Sequence, residues 1–296
     1  MRPAWLIALA LCLVAPGAAP AADEVKPIRV LLVLGGCCHD YQAQQHILKE
    51  GISARAHVEV TISYDPDKGT RHLNPVYEDA DWAEAFDVVI HDECSADVKD
   101  PEVIERILKP HREGLPAVVL HCGMHSYRGE GFPKTTAWFD FTGLASTGHG
   151  PQTPISLAFV DKQHPITKGA QDWTTIREEL YNNSAGTLLD TAKPLARGKQ
   201  TVRRRGGKES VEDSVVVWTN MYNGKSRVFA TTLGHNNETV ADPRYLDLVT
   251  RGLLWSVDKL DEKHLKPEAA VKAAQASQAA EAKRKAAAEP QPTLAK

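Results

Sequence analysis

Hydrophobic residues along this chain fall into short, nearly continuous runs. Ile28 to Leu34, Val58 to Ile62, Phe86 to Ile90 and Ala117 to Leu120 are apolar and rich in β-branched side chains. Runs of this length read as strands; those nearly free of polar residues, such as Ala117 to Leu120, fit strands buried on both faces, and Val58 to Ile62, which alternates with Glu59 and Thr61, fits a strand covered on one face. Between them, Tyr41 to Ser53 and Pro101 to Arg112 read as helices, and Pro101 stands where a first helical turn accepts proline. This alternation predicts an α/β fold, a doubly wound, mostly parallel sheet flanked by helices. The second half is more strand-rich, with Ile155 to Val160, Val215 to Trp218 and Val228 to Thr232. Pro243 to Val257 predicts a closing helix packed back on the sheet.

The ends of the chain differ from this middle. Met1-Arg2, the apolar stretch Trp5 to Val14 and Ala19-Pro20-Ala21 have the order of a secretory signal, so residues 1–22 are expected to be a cleaved signal peptide. That places the mature protein in a secreted or periplasmic setting. The apolar stretch is too short to span a bilayer, and Cys12 lies inside it behind Leu11, which argues against lipid attachment. Residues 26–260 read as one globular domain. Residues 261–296 are dominated by Ala, Lys, Glu and Gln and predict a low-complexity tail, disordered or transiently helical. A net charge of -3 gives no reason to expect nucleic acid as a partner, and no later segment is long and apolar enough to cross a membrane.

Each early strand hands over to reactive groups. The first leads into Gly35-Gly36-Cys37-Cys38-His39-Asp40-Tyr41, the third into His91-Asp92-Glu93-Cys94, and the fourth into His121-Cys122-Gly123-Met124-His125-Ser126. Parallel strands would bring these sets to one rim, where open α/β sheets bind their ligands. The two glycines permit a sharp turn, but no GxGxxG or Walker pattern is present. All four cysteines beyond the signal segment lie in these sets. In an oxidising compartment they read first as a disulfide or buried thiols, with metal thiolates or a catalytic thiol as the sharper alternatives.

With those blocks in view, the chain resembles the ThuA-like family, named for trehalose utilisation, whose fold is similar to that of the class I glutamine amidotransferases. The resemblance runs from about Ile28 to Trp255. It rests on Gly35-Gly36 with His39, Leu120-His121 with Ser126, Phe141 to Gly150 ending in Gly148-His149, His164-Pro165-Ile166, Glu178-Glu179-Leu180-Tyr181-Asn182, Arg227-Val228-Phe229 leading to Leu233-Gly234-His235, and Arg251 to Trp255. It implies a flavodoxin-like three-layer sandwich. An amidotransferase would need a nucleophilic cysteine on the turn after the fourth strand and a histidine base from a later strand. Register against Gly123 puts His121 at that elbow and Cys122 one residue away, so glutamine hydrolysis is disfavoured. His235 falls where the resemblance places the catalytic histidine.

The resemblance therefore implies histidine-centred chemistry on a small carbohydrate or keto-sugar derivative, by hydrolysis, elimination or isomerisation. His121, His235 and Glu179 are the candidate catalytic groups. His39, Asp40, His125, Ser126, His149, Tyr181 and Asn182 are the candidate substrate contacts. His39, His121, His149 and His235 are also candidate ligands for a divalent metal such as zinc, although no HExxH motif is present. Glu179 and Tyr181 alternate on a strand-like segment and should share a face. The competing reading is a non-catalytic carbohydrate-binding or assembly protein that has lost the amidotransferase nucleophile. A redox protein built on Cys37 and Cys38 ranks behind both, since vicinal cysteines bridge awkwardly and no CxxC accompanies them. His91 and His164 read as structural, and His46, His57, His72, His111 and His264 as ordinary surface or helix-face residues. Trp138 and Phe139 read as core before they read as a sugar platform. Arg203 to Lys208 reads as a solvated basic loop.

Overall fold

The computed structural model describes residues 25–184, 188–203 and 206–272. The signal-peptide expectation for residues 1–22 and the tail beyond residue 272 lie outside the described residues. One nine-stranded sheet organises the chain, in the order β2-β1-β3-β4-β9-β8-β7-β5-β6. These strands are β1 (Ile28–Gly36), β2 (Val58–Asp65), β3 (Val88–Cys94), β4 (Ala117–Leu120), β5 (His149–Phe159), β6 (Trp173–Tyr181), β7 (Ala192–Arg203), β8 (Glu209–Tyr222) and β9 (Ser226–Thr231). The pairs from β2 through β1, β3 and β4 to β9 are parallel. From β9 outward through β8, β7 and β5 to β6 every pairing is antiparallel. The parallel expectation thus describes the first half of the chain together with β9. The second half is antiparallel because its strands follow one another by short connections that need no crossover helix.

Residue alternation along β1 shows the layers. Ile28, Val30, Leu32 and Leu34 join the core on one side, with Leu48 and Ile52 of α1 (Tyr41–Arg55) and Leu253 and Leu254 of α5 (Pro243–Ser256). Leu31 and Val33 face the opposite core, with Ile104, Ile107 and Leu108 of α2 (Pro101–Glu113) and Trp138 and Phe141 of α3 (Ala137–Thr142). Helix starts are set chemically. Asp40, Asp100 and Asp242 each accept a bond from a backbone N–H of the first turn, and Pro101 and Pro243 follow two of them. A short helix, α4 (Asn237–Val240), completes the set. Trp138 is fully buried, as core packing requires.

Two regions differ from the sequence expectation. Strand β7 was not anticipated, because Lys193, Arg197, Lys199 and Gln200 interrupt its apolar positions. Its end overlaps the expected basic loop: Arg203 belongs to the strand and pairs with Glu209 across the turn, while Arg204 and Arg205 are outside the described residues. Just past Asp261, Leu265 bridges to Ala56 and packs against the core, so the described start of the tail is tied to the domain.

Candidate functional site

The sheet order makes β1 and β3 the point where the chain turns to opposite sides, and such a switch opens a crevice at the carboxyl ends of the strands. At the end of β1, Gly35 and Gly36 have φ of +139° and +90°, and a Cβ on Gly36 would lie 2.3 Å from the Cys94 carbonyl oxygen. Glycine is required there for the strands to stay this close. The turn delivers His39. At the end of β4, His121 itself adopts φ +38°, a left-handed conformation unusual for a residue with a side chain, so it occupies the elbow as the register implied. After β9, Gly234 (φ +127°) turns the chain to present His235. The antiparallel half bends back over this rim and brings Glu179 and Tyr181 of β6 and His149 of β5 to it.

These residues form one cluster. Ligand atoms of His39, His121 and His235 all lie within 4.8 Å of one another. Oxygens of Glu179 stand 3.3 Å from His235 Nδ1, 3.7 Å from His121 Nε2 and 3.6 Å from His149 Nδ1. His121 Nδ1 donates to the Thr232 carbonyl at 2.6 Å, which fixes its tautomer and leaves the Nε2 lone pair facing the cluster. The Tyr181 hydroxyl donates to that Nε2 at 3.3 Å. Gln152 lies opposite Glu179 in the β5–β6 ladder, donates to Glu179 (3.2 Å) and has its side-chain amide 2.8 Å from His235 Nε2. Two nitrogens are buried with no directed hydrogen bond, His39 Nδ1 and His235 Nδ1. His235 Nδ1 is close to Glu179 but off the hydrogen-bond direction, so their contact is that of an ion pair. Buried nitrogens without partners are uncommon in a folded protein and call for a ligand or a reaction.

Electrostatics divides the cluster. Burial, reinforced by His235, lowers the pKa of His39 to about 4. Burial and the neighbouring His39 hold His121 well below the ordinary imidazole value. Both rings are neutral at pH 7 and offer lone pairs. His235 moves the other way, raised by the Glu179 carboxylate beside it. Burial pushes Glu179 upward, yet His235, His149 and Gln152 together outweigh it and keep the acid ionised. The next carboxylate, Glu178, points to the opposite face and accepts the backbone N–H of His235 at 3.1 Å, holding the turn that carries that ring.

The remaining expected contacts fall around this core with different tasks. His125 stacks on Tyr181 with ring centroids 4.0 Å apart and bonds Ser146 at 2.8 Å, while burial lowers its pKa to about 3. It supports the tyrosine from behind. His149 is the exposed member, its side chain 42% accessible. Asn182 accepts the Thr147 N–H at 2.9 Å and anchors the loop leading to His149. Asp40 is committed to the cap of α1 and to Asn237, and Ser126 bonds the Glu93 carbonyl and the Ser95 N–H. Neither of these two joins the cluster. Clefts of about 260 Å³ beside His39 and about 550 Å³ beside His149 flank it. A groove of about 500 Å³ at Phe86 and Leu115 lies by the opposite ends of β3 and β4, away from the switch point.

Two histidines expected at the surface are buried instead. His72 is 1% exposed, with Nδ1 3.3 Å from Ser95 Oγ. His111 is fully buried against His91. Its position was readable: Ile104, Ile107, Leu108 and His111 follow the i, i+3, i+4, i+7 stripe of the inward face of α2. Gln152 had no such signal, since the strand was expected to begin only at Ile155.

A nine-stranded α/β sandwich with a histidine at the strand elbow, no cysteine nucleophile in register and a second histidine after β9 is a class I glutamine amidotransferase-like fold carrying a different site. Residues 29–256 match the family model described as ThuA, trehalose utilisation, and the chain belongs to that family. No curated protein matches it significantly. Among solved structures it is similar to a ThuA-like protein of Parabacteroides merdae ATCC 43184, at 21% identity and TM-score 0.56, over 78% of this chain and 90% of that one. It is similar also to a ThuA-like protein of Bacteroides uniformis ATCC 8492, at 14% identity and TM-score 0.57, over 81% and 95% of the two chains. These likenesses concern the fold.

Proposed function

We propose that the chain is a carbohydrate-active enzyme whose site is the rim of His39, His121, His235 and Glu179, and that its substrate is a small sugar or keto-sugar derivative. The observation that carries this reading is the cluster itself: His121, His149 and His235 converge on the Glu179 carboxylate, and His39 Nδ1 stands buried beside them without a partner. The substrate class rests on the family, described by trehalose utilisation, and on the hydrogen-bonding character of the rim. Hydrolysis, elimination and isomerisation share the movement of a proton at a sugar carbon or oxygen. Glu179, ionised and next to His235, is the group to take that proton. His235, with its raised pKa, is the group to give one back. Tyr181 and His121 form a second donor and acceptor pair on the same side.

The donor set fits a divalent metal such as zinc. His39 and His121 are neutral, the His121 ring is oriented by a backbone carbonyl, and His39 Nδ1 has no other partner. His39, His121 and His235 would hold the ion, which when bound supplies a Lewis acid for a carbonyl or hydroxyl. Glu179 would then serve alone as the proton carrier. Product analysis with a panel of disaccharides and their keto derivatives tests the reading. Turnover that falls by roughly 10²-fold or more in Glu179→Gln and His121→Ala is expected. Saturable sugar binding with no turnover across the panel would replace the enzyme with a binding protein.

A further inference from the structure

The four cysteines of the described residues gather in strand-end sequence blocks, and the sugar site does not use their sulfurs. Cys37 and Cys38 are joined in a disulfide. The Cys94 sulfur is 3.3 Å from that of Cys37, and Cys94 and Cys122 are free thiols, both buried. Strand pairing explains the approach: Gly36 is the register partner of Cys94 in the β1–β3 ladder, and the missing Cβ at Gly36 lets the Cys94 backbone come close. At the other end of the series Cys38 is exposed, with Cys37 half-buried between. An oxidised pair thus touches a reduced thiol in the interior and meets solvent on its outer side.

We propose that Cys94, Cys37 and Cys38 are a thiol–disulfide exchange relay that delivers a reactive thiol to the surface at Cys38, where it meets external disulfides and soft electrophiles. In the exchange the Cys94 sulfur attacks Cys37 Sγ, a Cys94–Cys37 bond forms, and the Cys37–Cys38 bond breaks. Cys38 leaves with the bonding electron pair and takes up the proton that Cys94 gives up. No external oxidant or reductant is consumed, since one disulfide and one thiol become another disulfide and another thiol. The sulfurs must close from 3.3 Å to the roughly 2.05 Å of a disulfide, a movement within the reach of side-chain rotation. Because Cys38 precedes His39, the exchange replaces a link between neighbours by one between β3 and the turn that leads from β1 into His39. Cys122, next to His121, stands behind Cys94 as a second buried thiol.

The test is native alkylation with iodoacetamide in the absence of reductant, followed by acid quench, denaturation, capping of the remaining thiols with a second reagent and non-reducing peptide mapping. Trypsin places Cys37 and Cys38 on Val30–Lys49, Cys94 on His72–Lys99 and Cys122 on Glu113–Arg128, so each linkage has its own mass. The relay predicts carbamidomethyl-Cys38 on a Val30–Lys49 peptide disulfide-linked to His72–Lys99, accumulating with time. Cys122→Ser keeps this product, and Cys94→Ser, with native circular dichroism, loses it to background and retains Cys37–Cys38. An intact Cys37–Cys38 pair in wild type after exhaustive incubation would overturn the proposal, as would equal Cys38 labelling in Cys94→Ser. Should Cys94→Ser fail to fold, the presence or absence of the Cys37–Cys94 cross-link in wild type decides alone.

Discussion

Two histidine–carboxylate clusters stand out among the described residues, one in the interior and one at the rim, and they differ in which ring nitrogens remain open. In the interior, Glu93 Oε1 accepts the hydroxyls of Tyr77 (2.8 Å) and Tyr127 (2.9 Å) and faces His91 Nδ1 at 2.9 Å. His91 Nε2 bonds His111 Nε2 at 3.0 Å, and His111 Nδ1 donates to the Leu115 carbonyl. His111 is neutral, its pKa lowered to about 3 by burial, so His91 is the donor between the rings. Although burial alone would raise Glu93, His91 and the hydroxyls of Tyr77 and Tyr127 together bring it down. All the ring nitrogens of this cluster are used, while Glu93 Oε2 is left without a hydrogen bond. The rim has the same residue types but leaves His39 Nδ1 and His235 Nδ1 without directed partners and stands between clefts. Composition does not separate the two clusters; open imidazole nitrogens and neighbouring clefts set the rim apart.

The largest expected effect breaks the sealed cluster. Glu93→Ala leaves His91 Nδ1 and two tyrosine hydroxyls buried without their acceptor, and a loss of about 3–5 kcal/mol is expected in urea denaturation. Glu179→Gln should change that midpoint little while removing activity. A midpoint shift as large as that of Glu93→Ala would place Glu179 among the structural groups.

Acid separates the clusters by degree. His39 (about 4), His111 (about 3) and His125 (about 3) are all depressed from the ordinary 6.5. Below about pH 6.5 the unfolded chain binds protons that the native state refuses, so stability is greatest above that pH and falls as pH drops toward 4. His235, raised in the native state, works in the opposite direction. A net loss of several kcal/mol between pH 7 and pH 5 is expected, at roughly 1.4 kcal/mol for each unit of differential shift. A stability that is flat over this interval would mean the buried rings accept protons in place.

Smaller changes sharpen the same contrast. Tyr181→Phe removes one hydroxyl at 3.3 Å from His121 and should cost about 0.5–1.5 kcal/mol of stability, with a larger proportional loss of turnover. The same variant giving unchanged turnover would take Tyr181 out of the chemistry. Lys162→Ala, which breaks an exposed pair with Asp172, should stay within about 0.5 kcal/mol of wild type by thermal unfolding.

Much of the parallel half was legible because buried parallel strands have an unmistakable apolar run. Ala117 to Leu120 is β4 residue for residue, and the elbow at His121 follows from the register of Gly123. Convergence of Cys37, Cys38, Cys94 and Cys122 followed from strand-end logic, although the pairing did not. Strand β7 was hidden because its outward positions are charged, and its pairing depends on β5 and β8, which are distant in sequence. Gln152 was hidden for a related reason: its role comes from facing Glu179 across the β5–β6 ladder, a long-range register that local pattern does not encode. Ser126 and Asp40 looked available in sequence because free hydroxyls and carboxylates do; the fold spends both on backbone groups.

Zinc content is the most direct test of the claim that the rim, and not the sealed cluster, is the working site. Protein without a histidine tag is equilibrated with zinc, passed through gel filtration and analysed as wild type, His39→Ala, His121→Ala and His111→Asn. Retention of about one zinc per chain in wild type and in folded His111→Asn, with loss in both rim variants, is the expected result. Retention undiminished in His39→Ala and His121→Ala, or loss confined to folded His111→Asn, would contradict it; a zinc-free wild type would leave Glu179 and His235 to carry the chemistry as an acid–base pair.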